Sequence, residues 1–218
     1  MALTAAVTVA ISAAGRLLPG RWVDLFAHLL AVLLAAGEVS WWVYAAVNRV
    51  PLSLGLPLQL SDVAPLVAAA ALWWRWWWAA ELAYFWGLAG VSLALLTPEL
   101  PYAFPSFLFV QYVWVHGLTV LAAVFIPAAL RLCPRAGAVA RAALATAALA
   151  AAAAVADVAT GGDYLFLAQP PVTPTPLSLL GPWPWYLAGA AAIALALLVL
   201  LDLPFRRRRQ PESRIASG

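Results

Sequence analysis

The chain has 218 residues, of which 66% are apolar and 10% are charged, and its formal net charge is +3. A soluble globular protein of this length needs far more polar surface, so the composition predicts an all-α protein that crosses a membrane several times. The single cysteine, Cys133, excludes an internal disulfide. All basic residues are arginines that lie between apolar segments, which indicates membrane topology rather than nucleic-acid binding.

Seven apolar segments approach the roughly 17–25 residues that a helix needs to cross a bilayer. In chain order they cover residues 2–18, 25–48, 58–74, 77–97, 106–130, 142–159 and 185–203. We therefore predict one seven-helix transmembrane domain over residues 1–205 and a basic cytoplasmic tail over residues 206–218. The first segment is the weakest, and a six-span arrangement without it leaves the other spans oriented the same way.

The arginines predict the orientation of these spans. Eleven of the 12 lie in the loops after the first, third and fifth segments and at the C-terminus, whereas Arg49 alone lies on the opposite side. Positively charged residues concentrate in cytoplasmic loops, so the N-terminus is predicted outside and the C-terminus in the cytoplasm. The outward loops are rich in proline, which predicts short, rigid connections.

A cluster of tryptophans marks the turn between the third and fourth segments. Trp73, Trp74, Trp76, Trp77 and Trp78 surround Arg75. Tryptophan concentrates where the apolar core of a bilayer meets the headgroups, so the cluster is interpreted as an interfacial anchor. The alternative is a binding site for a lipid headgroup.

A few polar groups fall within the apolar segments, where an ionisable side chain costs about 2.5–3.5 kcal/mol and marks a functional site by default. They are Glu38, Ser61, Asp62, Glu81 and His116. Glu81 lies near the cytoplasmic end of its segment, and we interpret it as structural. The other four lie between mid-depth and the outer leaflet, so these four define the candidate site.

His116 lies near the middle of the fifth segment, with Tyr112 and Thr119 on the same helical face. It is either a histidine that joins two helices by a hydrogen bond or a general base or ligand contact. Glu38, in the middle of the second segment, has three possible roles. It can orient His116, bind a cation or proton, or donate a hydrogen bond as a neutral acid.

Ser61 and Asp62 begin the third segment on the outer side. One interpretation is that they cap the helix. The other is that Ser61 is a nucleophile activated by His116, the one histidine at this depth, while Asp62 orients or stabilises the pair. Further residues are expected to line the pocket, with the two glutamines as candidate oxyanion donors: Gln59, Tyr84, Gln111, Tyr112 and Thr119. Asp157 and Asp163 are expected to face water or the pocket rim.

Several strings carry a family resemblance. They are LPLQLSD at 56–62, ELAYFWGLAG at 81–90, LTPEL at 96–100, FPS at 104–106, HG at 116–117, DY at 163–164 and LGPWPWY at 180–186. Their order and spacing resemble the bacterial YwaF-type seven-span integral membrane family, from the second span onward. The resemblance implies a multi-pass protein of the bacterial inner membrane.

The resemblance also implies a relation to eukaryotic transmembrane acyltransferases that act on ether phospholipids through a cysteine and a histidine. In the bacterial motif Leu-His-Leu-Cys-Asp, this chain has Gln59 at the histidine and Ser61 at the cysteine, while His116 matches the histidine before glycine. We expect an intramembrane lipid-acyl hydrolase or acyltransferase with membrane lipids as partners and without cofactor, metal or nucleic acid. Alternatives are a proton- or cation-coupled transporter and a non-catalytic lipid-binding protein.

Overall fold

The computed structural model describes residues 2–98, 102–170 and 179–215. Within these residues the secondary structure is helical. The helices are α1 (Ala2–Leu17), α2 (Arg21–Val47), α3 (Leu52–Gly55), α4 (Leu60–Trp74), α5 (Trp77–Trp86), α6 (Ser92–Leu96), α7 (Phe107–Ala129), α8 (Ala138–Thr160) and α9 (Trp185–Ile215). No strand occurs in the described ranges, so the prediction of an all-α protein is confirmed there.

Helices α5 and α6 belong to one continuous helix over Trp77–Leu96, joined by a π-helical turn over Gly87–Val91. A π turn accommodates one extra residue per turn and locally redirects the helix. Gly87 permits a close contact here, because a Cβ at this position would lie 2.6 Å from the Cβ of Ala123 on α7.

Five described helices are long and apolar enough to cross a membrane: Arg21–Val47, Trp77–Leu96, Phe107–Ala129, Ala138–Thr160 and Trp185–Arg207. The other two predicted spans form shorter helices, α1 with 16 residues and α4 with 15. A 15-residue helix extends about 22 Å, less than the roughly 30 Å of a hydrocarbon core. The helices indicate a multi-pass membrane protein, while the count of seven spans and their orientation stay predictions.

Helix α7 lies at the centre of the bundle and contacts α1, α2, α4 and α5, whereas α8 and α9 pack on each other. The core between α2, α4 and α5 is lined largely by alanines, which allow close helix packing. Helix α9 continues to Ile215, so the predicted tail begins as a helix, and residues 216–218 lie outside the described ranges.

Ion pairs concentrate at one end of the bundle, which we call the arginine end because Arg75, Arg135, Arg141 and Arg206 form them. Asp24 at the start of α2 pairs with Arg75 at the end of α4 at 2.9 Å, and Asp202 pairs with Arg206 on α9 at 2.6 Å. Glu81 pairs with Arg135 and Arg141 in the connection between α7 and α8 and in α8 itself. These segments are the ones that the arginine pattern places on a common side.

Candidate functional site

The start of α4 positions two of the predicted site residues. Gln59 is the N-cap residue, so Ser61 and Asp62 occupy the second and third positions of the helix. The Oδ2 atom of Asp62 accepts a hydrogen bond from the backbone N–H of Gln59 at 3.2 Å. A carboxylate at the third position commonly closes the first turn in this way. Asp62 therefore caps the helix, as one of the two interpretations predicts, while Ser61 is left available.

The first turn of α4 also carries free backbone donors. The N–H groups of Asp62 and Val63 both contact the carbonyl of Gln59, whereas those of Leu60 and Ser61 have no hydrogen-bond acceptor among the described residues. Such orphan N–H groups and the helix dipole favour negative charge at a helix N-terminus. The hydroxyl of Ser61 lies close to the Asp62 carboxylate. This turn can therefore stabilise an oxyanion beside a hydroxyl nucleophile.

Tyr164, between α8 and α9, holds the chain that enters this turn. Its hydroxyl accepts a hydrogen bond from Leu56 N at 2.9 Å and donates one to the carbonyl of Leu52 at 2.5 Å. Its backbone N–H donates to Oδ1 of Asp157 at 2.8 Å. Burial raises the pKa of the Tyr164 hydroxyl, so it stays a protonated donor at neutral pH.

A second bond reinforces this connection, because Leu165 N donates to Oε1 of Gln59 at 2.9 Å. The sequence analysis did not identify Tyr164 as a positioning residue, and the Asp-Tyr string at 163–164 was the available signal. Asp157 binds backbone instead of simply facing water or the pocket rim. One of its oxygens, Oδ2, is buried without a hydrogen-bond partner among the described residues.

Glu38 approaches the start of α4 from the side of α2. Its residue is 2% exposed and lies on the same helical face as Leu34 and Ala31, directed into the bundle. The Oε2 atom has no hydrogen-bond partner among the described residues. The charge of Glu38 interacts with that of Asp62, so the structure brings these two acids together.

The crossing of α2 and α7 fixes the position of Glu38. A Cβ at Gly37 would lie 2.5 Å from a side-chain atom of Val115, so only glycine permits this spacing without a shift. Gln111 Nε2 donates to the carbonyl of Gly37 at 3.4 Å. The side chains of Gln111 and Gln59 therefore form hydrogen bonds with backbone groups at the edges of the site.

His116 lies on α7 and is 6% exposed. Its Nδ1 lies 2.9 Å from the carbonyl oxygen of Tyr112, and the two rings stack with their centroids 3.8 Å apart. A carbonyl only accepts hydrogen bonds, so this contact assigns the proton of the neutral ring to Nδ1 and the lone pair to Nε2. The tautomer therefore leaves Nε2 able to act as a base.

Tyr112 and Thr119 lie beside His116, but their hydroxyls donate to backbone carbonyls. Tyr112 shares the face of His116 and donates a hydrogen bond to the carbonyl of Ala94 at 2.6 Å. Thr119 donates to the carbonyl of Val115 at 2.7 Å. No hydrogen bond joins Ser61 to His116 among the residues that the structure describes.

Tyr84 lies away from this group. Its hydroxyl donates to the carbonyl of Leu201 on α9 at 3.0 Å, and its ring packs edge-to-face on Phe205. The sequence analysis had predicted Tyr84 as a pocket-lining residue. In the structure it instead joins α5 to α9 near the arginine end. Within the described ranges, no three His, Cys, Asp or Glu side chains lie close enough together to hold a metal ion.

No curated protein and no solved structure matches the chain. The model of the TMEM164 family matches residues 1–202, which is nearly the whole chain. Together with the apolar helices, this match establishes that the chain is a multi-pass membrane protein that belongs to the TMEM164 family.

Proposed function

We propose that the chain is an intramembrane lipid-acyl hydrolase or acyltransferase whose site opens toward the outer leaflet. The observation that carries the proposal is the position of Ser61 at the second residue of α4. There its hydroxyl lies beside the Asp62 carboxylate and next to two backbone N–H groups without acceptors. The resemblance to YwaF-type proteins supports it, because Ser61 occupies the cysteine position of their motif.

In the proposed reaction, the Oγ atom of Ser61 attacks the carbonyl carbon of a lipid ester, and Nε2 of His116 takes the hydroxyl proton. The N–H groups of Leu60 and Ser61 stabilise the oxyanion of the tetrahedral intermediate. Collapse breaks the ester bond, and the proton on His116 passes to the leaving alcohol. Water, or the hydroxyl of an acceptor lipid, then attacks the acyl-serine while His116 takes its proton. The bond from the acyl carbon to Oγ breaks, and His116 returns the proton to Ser61.

The proposal requires Ser61 and His116 to approach when a lipid is bound. Catalytic hydrogen bonds are commonly long in the absence of substrate and tighten in the complex. Asp62 lies beside Ser61, and its charge interacts with that of Glu38, so Asp62 is the acid available to stabilise positive charge on His116 once Ser61 and His116 have approached.

Fluorophosphonate labelling combined with lipid analysis tests this function. We expect the wild-type protein to be labelled, and Ser61→Ala and His116→Ala to lose labelling and acyl release. Ser61→Cys should retain acyl transfer, because a thiol is the stronger nucleophile near neutral pH. Ser92→Ala is the matched control, since the Ser92 hydroxyl is occupied by the carbonyl of Leu88. Labelling retained in both site variants would contradict the proposal.

The second candidate is a proton- or cation-coupled transporter, and the electrostatic interaction between Glu38 and Asp62 favours it. Two acids whose charges interact, one with an unpartnered oxygen, are suited to bind a proton or cation during transport. Solute flux in proteoliposomes that Glu38→Gln abolishes, together with unlabelled Ser61, would support transport over acyl chemistry. Bound lipid without labelling or flux would indicate a non-catalytic lipid-binding protein.

The proposed location is the inner membrane of a bacterial cell, with the N-terminus outside and the arginine end in the cytoplasm. The distribution of arginine supports this orientation, since 11 of 12 lie on one side of the predicted spans. The substrate then belongs to the outer leaflet. A membrane-impermeant thiol reagent tests the orientation through Cys133, which lies between α7 and α8 on the side with most arginines. We expect the reagent to label Cys133 only after the cells are opened.

A further inference from the structure

Glu81 is the centre of a hydrogen-bonded cluster at the arginine end. The residue is 1% exposed, and its Oε1 atom accepts from Arg135 N and Nε, both at 3.1 Å, and from a terminal nitrogen of Arg141 at 2.9 Å. Its Oε2 atom accepts from Arg141 Nε at 2.8 Å. One carboxylate is thus shared between two guanidinium groups, so the cluster carries a formal charge of about +1.

The two arginines are engaged to different extents. Arg141 also donates from its other terminal nitrogen to the carbonyl of Ala136 at 3.1 Å, so all three of its guanidinium nitrogens have acceptors. Of the guanidinium nitrogens of Arg135, only Nε donates within the cluster, and the two terminal nitrogens have no acceptor among the described residues. Its side chain is 51% exposed. The unused charge and donors of the cluster therefore lie on the outward side of Arg135.

An aromatic surface fixes the direction of these donors. The guanidinium carbon of Arg135 lies 5.2 Å from the centroid of the Trp77 ring, a cation–π geometry. The ring of Trp76 stacks between Trp74 and Trp78, with centroid distances of 4.9 Å and 5.7 Å. All four tryptophans are exposed, and Trp77 and Trp78 begin a helix long enough to cross a bilayer, Trp77–Leu96.

We propose that Arg135 and Trp77 form a binding site for the anionic headgroup of a phospholipid in the leaflet at the arginine end. The phosphodiester oxygens accept from the two terminal nitrogens of Arg135, and the acyl chains lie along the exposed tryptophans. Glu81 and Trp77 hold the guanidinium in place before the lipid arrives. Because the guanidinium is already held in place, binding costs less side-chain entropy than it would at an exposed arginine without such contacts.

The charge and the position of the site favour a lipid over a soluble anion. Exposed tryptophans concentrate at the level of the headgroups, where the phosphates of a leaflet are the abundant anions. The site differs from the proposed acyl site in location and chemistry. It lies at the first turn of α5, and it contains neither Ser61 nor His116. It stands whether or not the chain is an enzyme.

Native mass spectrometry of the delipidated full chain, titrated with phosphatidylglycerol or phosphatidylcholine, tests the site. We expect one phosphatidylglycerol to bind more tightly than phosphatidylcholine, and Arg135→Gln to weaken that binding about tenfold, the loss of roughly one charge-assisted contact. Trp77→Leu should weaken it less while leaving the ion pairs of Glu81 in place. Arg207→Gln is the matched control, because it removes an exposed charge at the same end.

Each result bears on the proposal. Equal affinity for the two lipids, or unchanged affinity in Arg135→Gln, would overturn it. Displacement of the lipid by millimolar inorganic phosphate would show a general anion site rather than a headgroup site. If Arg135→Gln does not fold, Trp77→Leu decides, and unchanged preference for phosphatidylglycerol in that variant would also overturn it.

Discussion

Two glutamates are buried to almost the same extent in this bundle, Glu38 at 2% exposure and Glu81 at 1%, but their surroundings are opposite. Glu81 accepts four hydrogen bonds from two arginines, so its charge is compensated. Glu38 has an oxygen without a partner among the described residues and a second acid, Asp62, close enough to interact with its charge.

The difference separates an acid that stabilises the bundle from one that costs stability. Burial removes the favourable hydration of a carboxylate, and only partners can replace it. An uncompensated acid that persists at depth therefore points to a site, whereas a saturated one points to architecture. The variants below test this distinction through the free energy of unfolding in detergent micelles, measured by tryptophan fluorescence.

The largest expected effect is at Glu81. Glu81→Ala should lower the free energy of unfolding by about 3 kcal/mol, since removing one partner of a buried ion pair leaves the other uncompensated. The value lies at the low end of the usual range because both arginines are about half exposed. Asp24→Ala is the control: Asp24 is 71% exposed in its pair with Arg75, and the loss there should stay below about 1 kcal/mol.

The next effect is at Tyr164, which connects the loop before α4 to the segment between α8 and α9. Tyr164→Phe removes the hydrogen bonds to Leu56 and Leu52 and should cost about 2 kcal/mol. Hydrogen exchange at Leu56 N should also become faster. Tyr44→Phe is the control, since the Tyr44 ring stacks on Phe107 without a described hydroxyl bond. Equal losses in the two variants would exclude a positioning role for Tyr164.

Glu38→Gln should act in the opposite direction to Glu81→Ala. At alkaline pH, where both acids are ionised, replacing the uncompensated carboxylate by an amide removes its repulsion with Asp62, so the free energy of unfolding should rise by about 1 kcal/mol. A loss comparable to that of Glu81→Ala would mean that Glu38 is a structural acid like Glu81.

The smallest expected effect concerns an uncharged group. The hydroxyl of Ser12 on α1 is buried without a partner among the described residues, so Ser12→Ala should raise the free energy of unfolding by about 0.5 kcal/mol. Ser40→Ala, which removes a hydroxyl that donates to the carbonyl of Gly37 at 2.7 Å, should instead lower it slightly. If the free energy of unfolding changed in the same direction in both variants, hydrogen-bond satisfaction would not determine stability at these two positions.

The helices and the common side of the arginines could be predicted from the sequence, because segment length, apolar content and loop charge are local properties of the chain. The role of Asp62 as a cap was also accessible, since capping joins residues only three positions apart. The pair of Ser61 and His116 was proposed from the residues, and the family resemblance singled these two out of the four candidate polar groups.

The partners of each polar group depend on the packing of helices that are distant in sequence. Arg135 and Arg141 reach Glu81 across 54 and 60 residues, and Leu165 reaches Gln59 across 106. Hydropathy carries no information about such contacts, because every face of a membrane helix is apolar enough to meet lipid or another helix. The sequence therefore identified both buried glutamates, and the tertiary structure showed that one is compensated and the other is not.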